Sequence, residues 1–144
     1  MPRRLACGCF LLLAAGLLPL TTLAADFQTP AISAEALRDR QQGDDPLLVI
    51  DVRDPVEFRI GHVPGAINLP ESDLANHLED LAAQPGVVLY CIAGTRTQRA
   101  EQTLIHHKVP NVFHLEDGLM GWLDSGFAVE KGAGHEQVGS GASR

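Results

Sequence analysis

The stretch Tyr90-Cys91-Ile92-Ala93-Gly94-Thr95-Arg96-Thr97 sets one cysteine directly after a short apolar run and before a helical pattern. A cysteine attacks as its thiolate, and the thiolate is favoured where amide N–H groups and a helix N-terminus face the sulfur. A tight strand-to-helix turn supplies that environment. Gly94 permits the backbone angles that bring successive N–H groups round to one point, so that Ile92, Ala93, Gly94 and Thr95 would form a cradle for an anion. Arg96 adds a permanent cation whose forked donors suit an oxyanion, and Arg99, one helical turn on, widens the positive field. On this reading Cys91 is the nucleophile and residues 92–96 hold its substrate. The bland alternative is a small buried cysteine at a strand end beside two surface arginines.

A second candidate lies at the end of another apolar run. Leu47 to Ile50 and Val87 to Tyr90 both read as strands covered on two faces, as in a parallel sheet, and ligands bind such sheets at the carboxyl ends of their strands. Asp51 follows the first run and Cys91 the second, so one edge of the sheet would present both. Asp51 is therefore kept as a substrate-binding candidate, against the alternative that it only organises its turn. Arg53 and Glu57 are assigned to that structural role. Asp54, Pro55 and Glu57 form a capping-box pattern that opens a short helix at Pro55.

The remaining elements alternate in type. Ile32 to Gln41, opened by Ser33 and ended by Gly43, reads as a helix, as does Ser72 to Leu81 with Ser72 as its N-cap. Thr97 to His107 reads as a third, with Ala100, Thr103, Leu104 and His107 on its inner stripe, before Pro110 stops it. Residues 66–69 and 111–115 are further strands. The expected fold class is α/β: a three-layer sandwich with a mainly parallel sheet between helices.

Composition bounds the rest. At 144 residues one domain is expected. Residues 1–25 carry Arg3 and Arg4, an apolar run from Phe10 to Leu20 and small residues at 22–25, and read as an export signal. The uncharged stretch from Leu5 to Ala25 would otherwise be a membrane anchor. The expected division is a signal at 1–25, a domain at 26–131, and a Gly- and Ser-rich tail at 132–144, with a periplasmic or secreted destination. The segment that follows the signal contains a single cysteine, so no internal disulfide can form there. Loss of Arg3 and Arg4 lowers the basic residues from 11 to 9 against 18 acids, which moves the net charge from −7 to −9 and makes nucleic acid an improbable partner. A monomer is expected.

The stretches DVRDPVEFRIGHVPGAINLP (51–70), YCIAGTRT (90–97) and LEDGLMGW (115–122) together resemble a rhodanese homology domain, and its small periplasmic phage-shock-type members in particular. One departure is Asp117-Gly118-Leu119, where many members carry a second glycine before the leucine. The resemblance implies a parallel sheet flanked by helices and a sulfurtransferase. Cys91 would take a sulfane sulfur from a donor such as thiosulfate, hold it as a persulfide and pass it to a thiophilic acceptor: cyanide, a thiol or a partner protein. Arg96 would orient the sulfonate end of thiosulfate. No cofactor and no metal are expected.

Other chemistries fit less well. Cysteine phosphatases and arsenate reductases use C-x5-R, whereas Cys91 to Arg96 is C-x4-R, a smaller ring suited to one sulfur. A thioredoxin-type site needs a second cysteine where Gly94 stands. His106 and His107 are adjacent on a helix, diverge and make a poor metal site. A rhodanese fold acting as a sulfur carrier or binding module, without small-molecule turnover, is the alternative from a different class.

Overall fold

The computed structural model describes residues 28–44 and 46–133; the export-signal reading and nearly all of the expected tail lie outside the described residues. The elements run β1 (Ala31–Ile32), α1 (Ala34–Gln41), β2 (Leu48–Asp51), α2 (Pro55–Ile60), β3 (Ile67–Asn68), a 3-10 segment (Glu71–Asn76), α3 (Leu78–Ala82), β4 (Val87–Tyr90), α4 (Thr95–His106), β5 (Val112–Leu115) and α5 (Gly118–Asp124). The strands form one sheet in the order β1-β5-β4-β2-β3, parallel at every pairing. This is the α/β sandwich expected from the two apolar runs.

Strand periodicity explains the two cores. Along β4, Val87 and Leu89, followed by Cys91, face a core that includes Leu74 and Leu81, Ala100 and Leu104 of α4. Val88 and Tyr90 face the opposite core, with Leu37 of α1, Phe58 of α2 and Leu119 and Trp122 of α5. The central strand is thus apolar on both faces, and its alternation sends Cys91 toward the layer that contains α4. Tyr90 anchors the other layer, where its buried hydroxyl accepts a hydrogen bond from the Val63 amide at 3.0 Å.

Several elements depart from their expected form. Ser33 caps α1 through the Ala36 amide, but Ile32 pairs with Leu115 as the end of an edge strand instead of entering the helix. The expected helix over 72–81 is broken. A 3-10 segment preceded by Pro70 ends at Asn76, His77 takes a non-helical φ of −123°, and α3 restarts at Leu78. Ser72 consequently caps nothing and its hydroxyl bonds Asp73 instead. Asn76 and His77 are weak helix formers, so the helix yields there, while Leu74 before the break and Leu81 after it both stay buried. Helix α4 starts two residues earlier than expected, and Glu101 takes the inner position in place of Thr103 and His107. Burial of Glu101 is supported by the Thr29 hydroxyl, to which it bonds, and by His114 Nδ1 at 3.2 Å.

Candidate active site

Strands β2 and β4 pair in register through Asp51 and Tyr90, so their carboxyl ends emerge side by side, with Cys91 one residue beyond. The turn after β4 is short because Gly94 takes a left-handed φ of 102° and α4 begins at Thr95. A residue with a Cβ would resist that conformation. The turn brings the Gly94 amide to 3.1 Å from Cys91 Sγ, and Cys91 itself is only 1% exposed.

Burial pushes the Cys91 thiol up, but the Thr97 hydroxyl and the amides of Thr97, Gly94 and Ala93 outweigh it and hold the thiol below the ordinary value. The physical cause is a set of positive dipoles at the start of a 12-residue helix, aimed at one sulfur. The Thr97 hydroxyl is buried and makes no hydrogen bond, so its dipole is free to turn toward the sulfur. Thr97 did not stand out in the sequence, although its place in the first turn after a cysteine loop was the available signal. Replacement of Thr97 by Val is expected to move the pH midpoint of Cys91 alkylation upward toward that of a free thiol; an unchanged midpoint would leave the amides as the sole cause. A thiol lowered in the folded state contributes stability that is present above the free-thiol value and is lost as pH falls through the folded value.

The residues of the loop divide by exposure. Gly94 is buried under the sulfur, while Ile92, Ala93 and Thr95 are exposed at the mouth. Arg96 is in the first turn of α4, and its guanidinium is not free. Nη1 and Nη2 donate to the two carboxylate oxygens of Glu57 at 2.5 and 2.9 Å, and Asp54 lies 3.8 Å away. Glu57 therefore reaches across to the cysteine helix while the Asp54 backbone amide, as in a capping box, also helps to lower its carboxyl, and Asp54 makes no side-chain cap of α2. The pairing with Arg96 holds Glu57 below the usual carboxylate range, and the hydrogen bonds to Glu57 raise Arg96 further above its ordinary value. Arg99 is likewise engaged, with Glu71 at 2.9 Å.

Asp51 requires a correction. It is 0% exposed, and its carboxylate accepts the Arg53 amide at 3.0 Å, Arg53 Nε at 2.9 Å and Arg53 Nη2 at 2.6 Å. Arg53 continues to the Gly61 carbonyl at 2.8 Å. The Asp51 carboxylate is thus consumed in fastening the end of β2 to the start of the GHVPG stretch, and it is not presented to a substrate. Burial alone would lower the Arg53 guanidinium, and the Asp51 carboxylate reverses the sign.

Helix α5 was not anticipated in the sequence, and it closes the other side of the loop. Leu119 and Met120 amides donate to the Cys91 and Ile92 carbonyls at 2.8 and 3.2 Å. The loop is thereby held between two helix N-termini, one directed at the sulfur and one at the backbone carbonyls behind it. Among the described residues no cluster of His, Cys, Asp and Glu fits a metal ion, and no helix is long and apolar enough to cross a membrane.

Comparison with known proteins agrees with this geometry. A crystal structure of thiosulfate sulfurtransferase from Pseudomonas aeruginosa superposes with a TM-score of 0.67 at 28% identity, over 74% of this chain and 21% of that one. A protein named sulfurtransferase from Allochromatium vinosum is 28% identical over 68% of this chain and 92% of its own length. An HTH-type transcriptional regulator of Mycobacterium tuberculosis is 35% identical over 69% of this chain. The chain spans 44% to 61% of the length of that regulator and of two further curated relatives. The Rhodanese-like domain family matches residues 33–125, and the chain belongs to it.

Proposed function

We propose that the protein is a sulfurtransferase in which Cys91 carries the sulfur. The observation that carries this reading is a buried thiol lowered by amide and hydroxyl dipoles at a helix N-terminus, 3.1 Å from the Gly94 N–H. With thiosulfate as donor, the Cys91 thiolate attacks the sulfane sulfur. A new S–S bond forms, the donor S–S bond breaks, and sulfite leaves with its electron pair. The anionic terminal sulfur of the persulfide then takes the place of the thiolate as the group that the dipoles stabilise. Cyanide or a thiolate attacks that sulfur and returns Cys91 to the thiolate.

The relatives named as sulfurtransferases support the reaction class. The donor is our own inference from the family resemblance and from the thiosulfate sulfurtransferase that superposes on this chain. Arg96 enters as a frame for the mouth, since a sulfonate would have to compete with Glu57 for its donors. The test is intact mass after brief exposure to thiosulfate: one sulfur atom gained on the peptide containing Cys91, then lost to cyanide as thiocyanate. A protein that binds partners but gains no sulfur from any donor would instead be a binding module.

We further propose export, with cleavage after Ala24 or Ala25 and a monomeric domain over 26–131 in the periplasm or outside the cell. N-terminal sequencing of exported protein checks this, and a first residue of Met1 in a membrane fraction would contradict it.

A further inference from the structure

Six large hydrophobic side chains are exposed among the described residues, and five of them, Val56, Ile60, Ile92, Met120 and Leu123, belong to the elements that surround the cysteine loop. Ile60, Ile92 and Leu123 line one pocket of about 290 Å³ together with Glu57 and Leu119. Val56 stands one helical turn from Ile60, and the Met120 amide bonds the Ile92 carbonyl. Exposure of Ile60 at 70% and Leu123 at 43% is costly unless something covers them. At the same mouth Glu57 pairs with Arg96, and the exposed Asp54 leaves an acidic group on the rim.

We propose that this apolar collar docks a polypeptide partner that presents a cysteine persulfide on a projecting segment flanked by apolar and basic residues. The inference rests on the sulfurtransferase reading and names the partner for its sulfur. Cys91 is only 1% exposed, so a partner's sulfur must project to reach it, while the flanking apolar side chains cover the collar and a neighbouring lysine meets Asp54. The Cys91 thiolate attacks the terminal S–H sulfur of the partner persulfide. The Cys91 S–S bond forms, the partner S–S bond breaks, the transferred sulfur keeps its proton, and the partner leaves as a thiolate.

The test uses the full chain and two synthetic peptides, each with one cysteine persulfide, flanked by Leu and Lys in one and by Ser and Asp in the other. Sulfur gain on Cys91 is followed by mass. The Leu/Lys peptide should load Cys91 with a kcat/KM higher by about tenfold, the order expected from partial burial of two or three apolar side chains. Ile60→Ser with Leu123→Ser should bring the ratio close to one while loading by thiosulfate is kept, and Ile105→Ser, at the one exposed large hydrophobic outside the collar among the described residues, should leave the ratio unchanged. Equal loading by both peptides, or a ratio that survives in the double variant, overturns the docking surface. A chain that takes sulfur from neither peptide nor thiosulfate overturns the transferase reading beneath it.

Discussion

Cys91→Ser is expected to gain no sulfur from thiosulfate, with transfer to cyanide reduced by roughly a thousandfold or more, as when a covalent nucleophile is removed. A serine hydroxyl ionises far above the thiol, and the dipoles of Thr97, Gly94 and Ala93 cannot supply the difference. The fold should survive. Serine is close to cysteine in volume, and the Gly94 amide that lies 3.1 Å from the sulfur can donate to oxygen, so the cost in unfolding free energy should stay near 1 kcal/mol. Intact mass before and after thiosulfate, together with a urea midpoint, reads both effects. Sulfur gained by the serine variant would place the carrier elsewhere, for Cys91 is the free cysteine among the described residues.

The core of this site was legible because its signals are local. An apolar run, a cysteine, a glycine and a helical pattern in fixed order leave few ways to connect β4 to α4, and each of those residues acts on its neighbours in sequence. Asp51 and Arg96 were read less well because their partners decide what they do. A carboxylate at the end of a strand looks the same in sequence whether it faces solvent or a guanidinium two residues on, and only the packing that leaves Asp51 0% exposed distinguishes the two. Arg96 looked like an anion receptor until Glu57, 39 positions earlier in the chain, was brought against it. The break at His77 left a weaker signal: Leu74 and Leu81 would share a core whether or not the helix is continuous, and only the low helix propensity of Asn76 and His77 marked it.

The departure at Asp117-Gly118-Leu119 finds its explanation in backbone angles. Asp117 takes φ 54° and Gly118 φ 58°, two consecutive left-handed residues that turn β5 into α5. Aspartate tolerates that region better than most residues, so one glycine can be dispensed with. The second cannot, and the reason lies in the cysteine loop. A Cβ on Gly118 would sit 2.5 Å from the Cys91 carbonyl oxygen and 2.9 Å from that of Ile92, both backbone atoms with little freedom to yield. Gly118→Ala is therefore expected to cost about 2–4 kcal/mol, from left-handed strain and overpacking together. Relief comes most readily by pushing the Cys91–Ile92 backbone away from α5, which would draw the Leu119 amide off the Cys91 carbonyl and tilt the thiol out of its ring of donors. A displacement near 1 Å in such a site costs on the order of a hundredfold in rate, so sulfur loading by the folded variant should fall by that order and its alkylation midpoint should rise toward the free-thiol value. A thermal melt and a pH profile of alkylation measure the two effects on one sample. If the variant melts lower but loads Cys91 at the original rate, α5 supports the fold alone and the cysteine loop holds its shape without it.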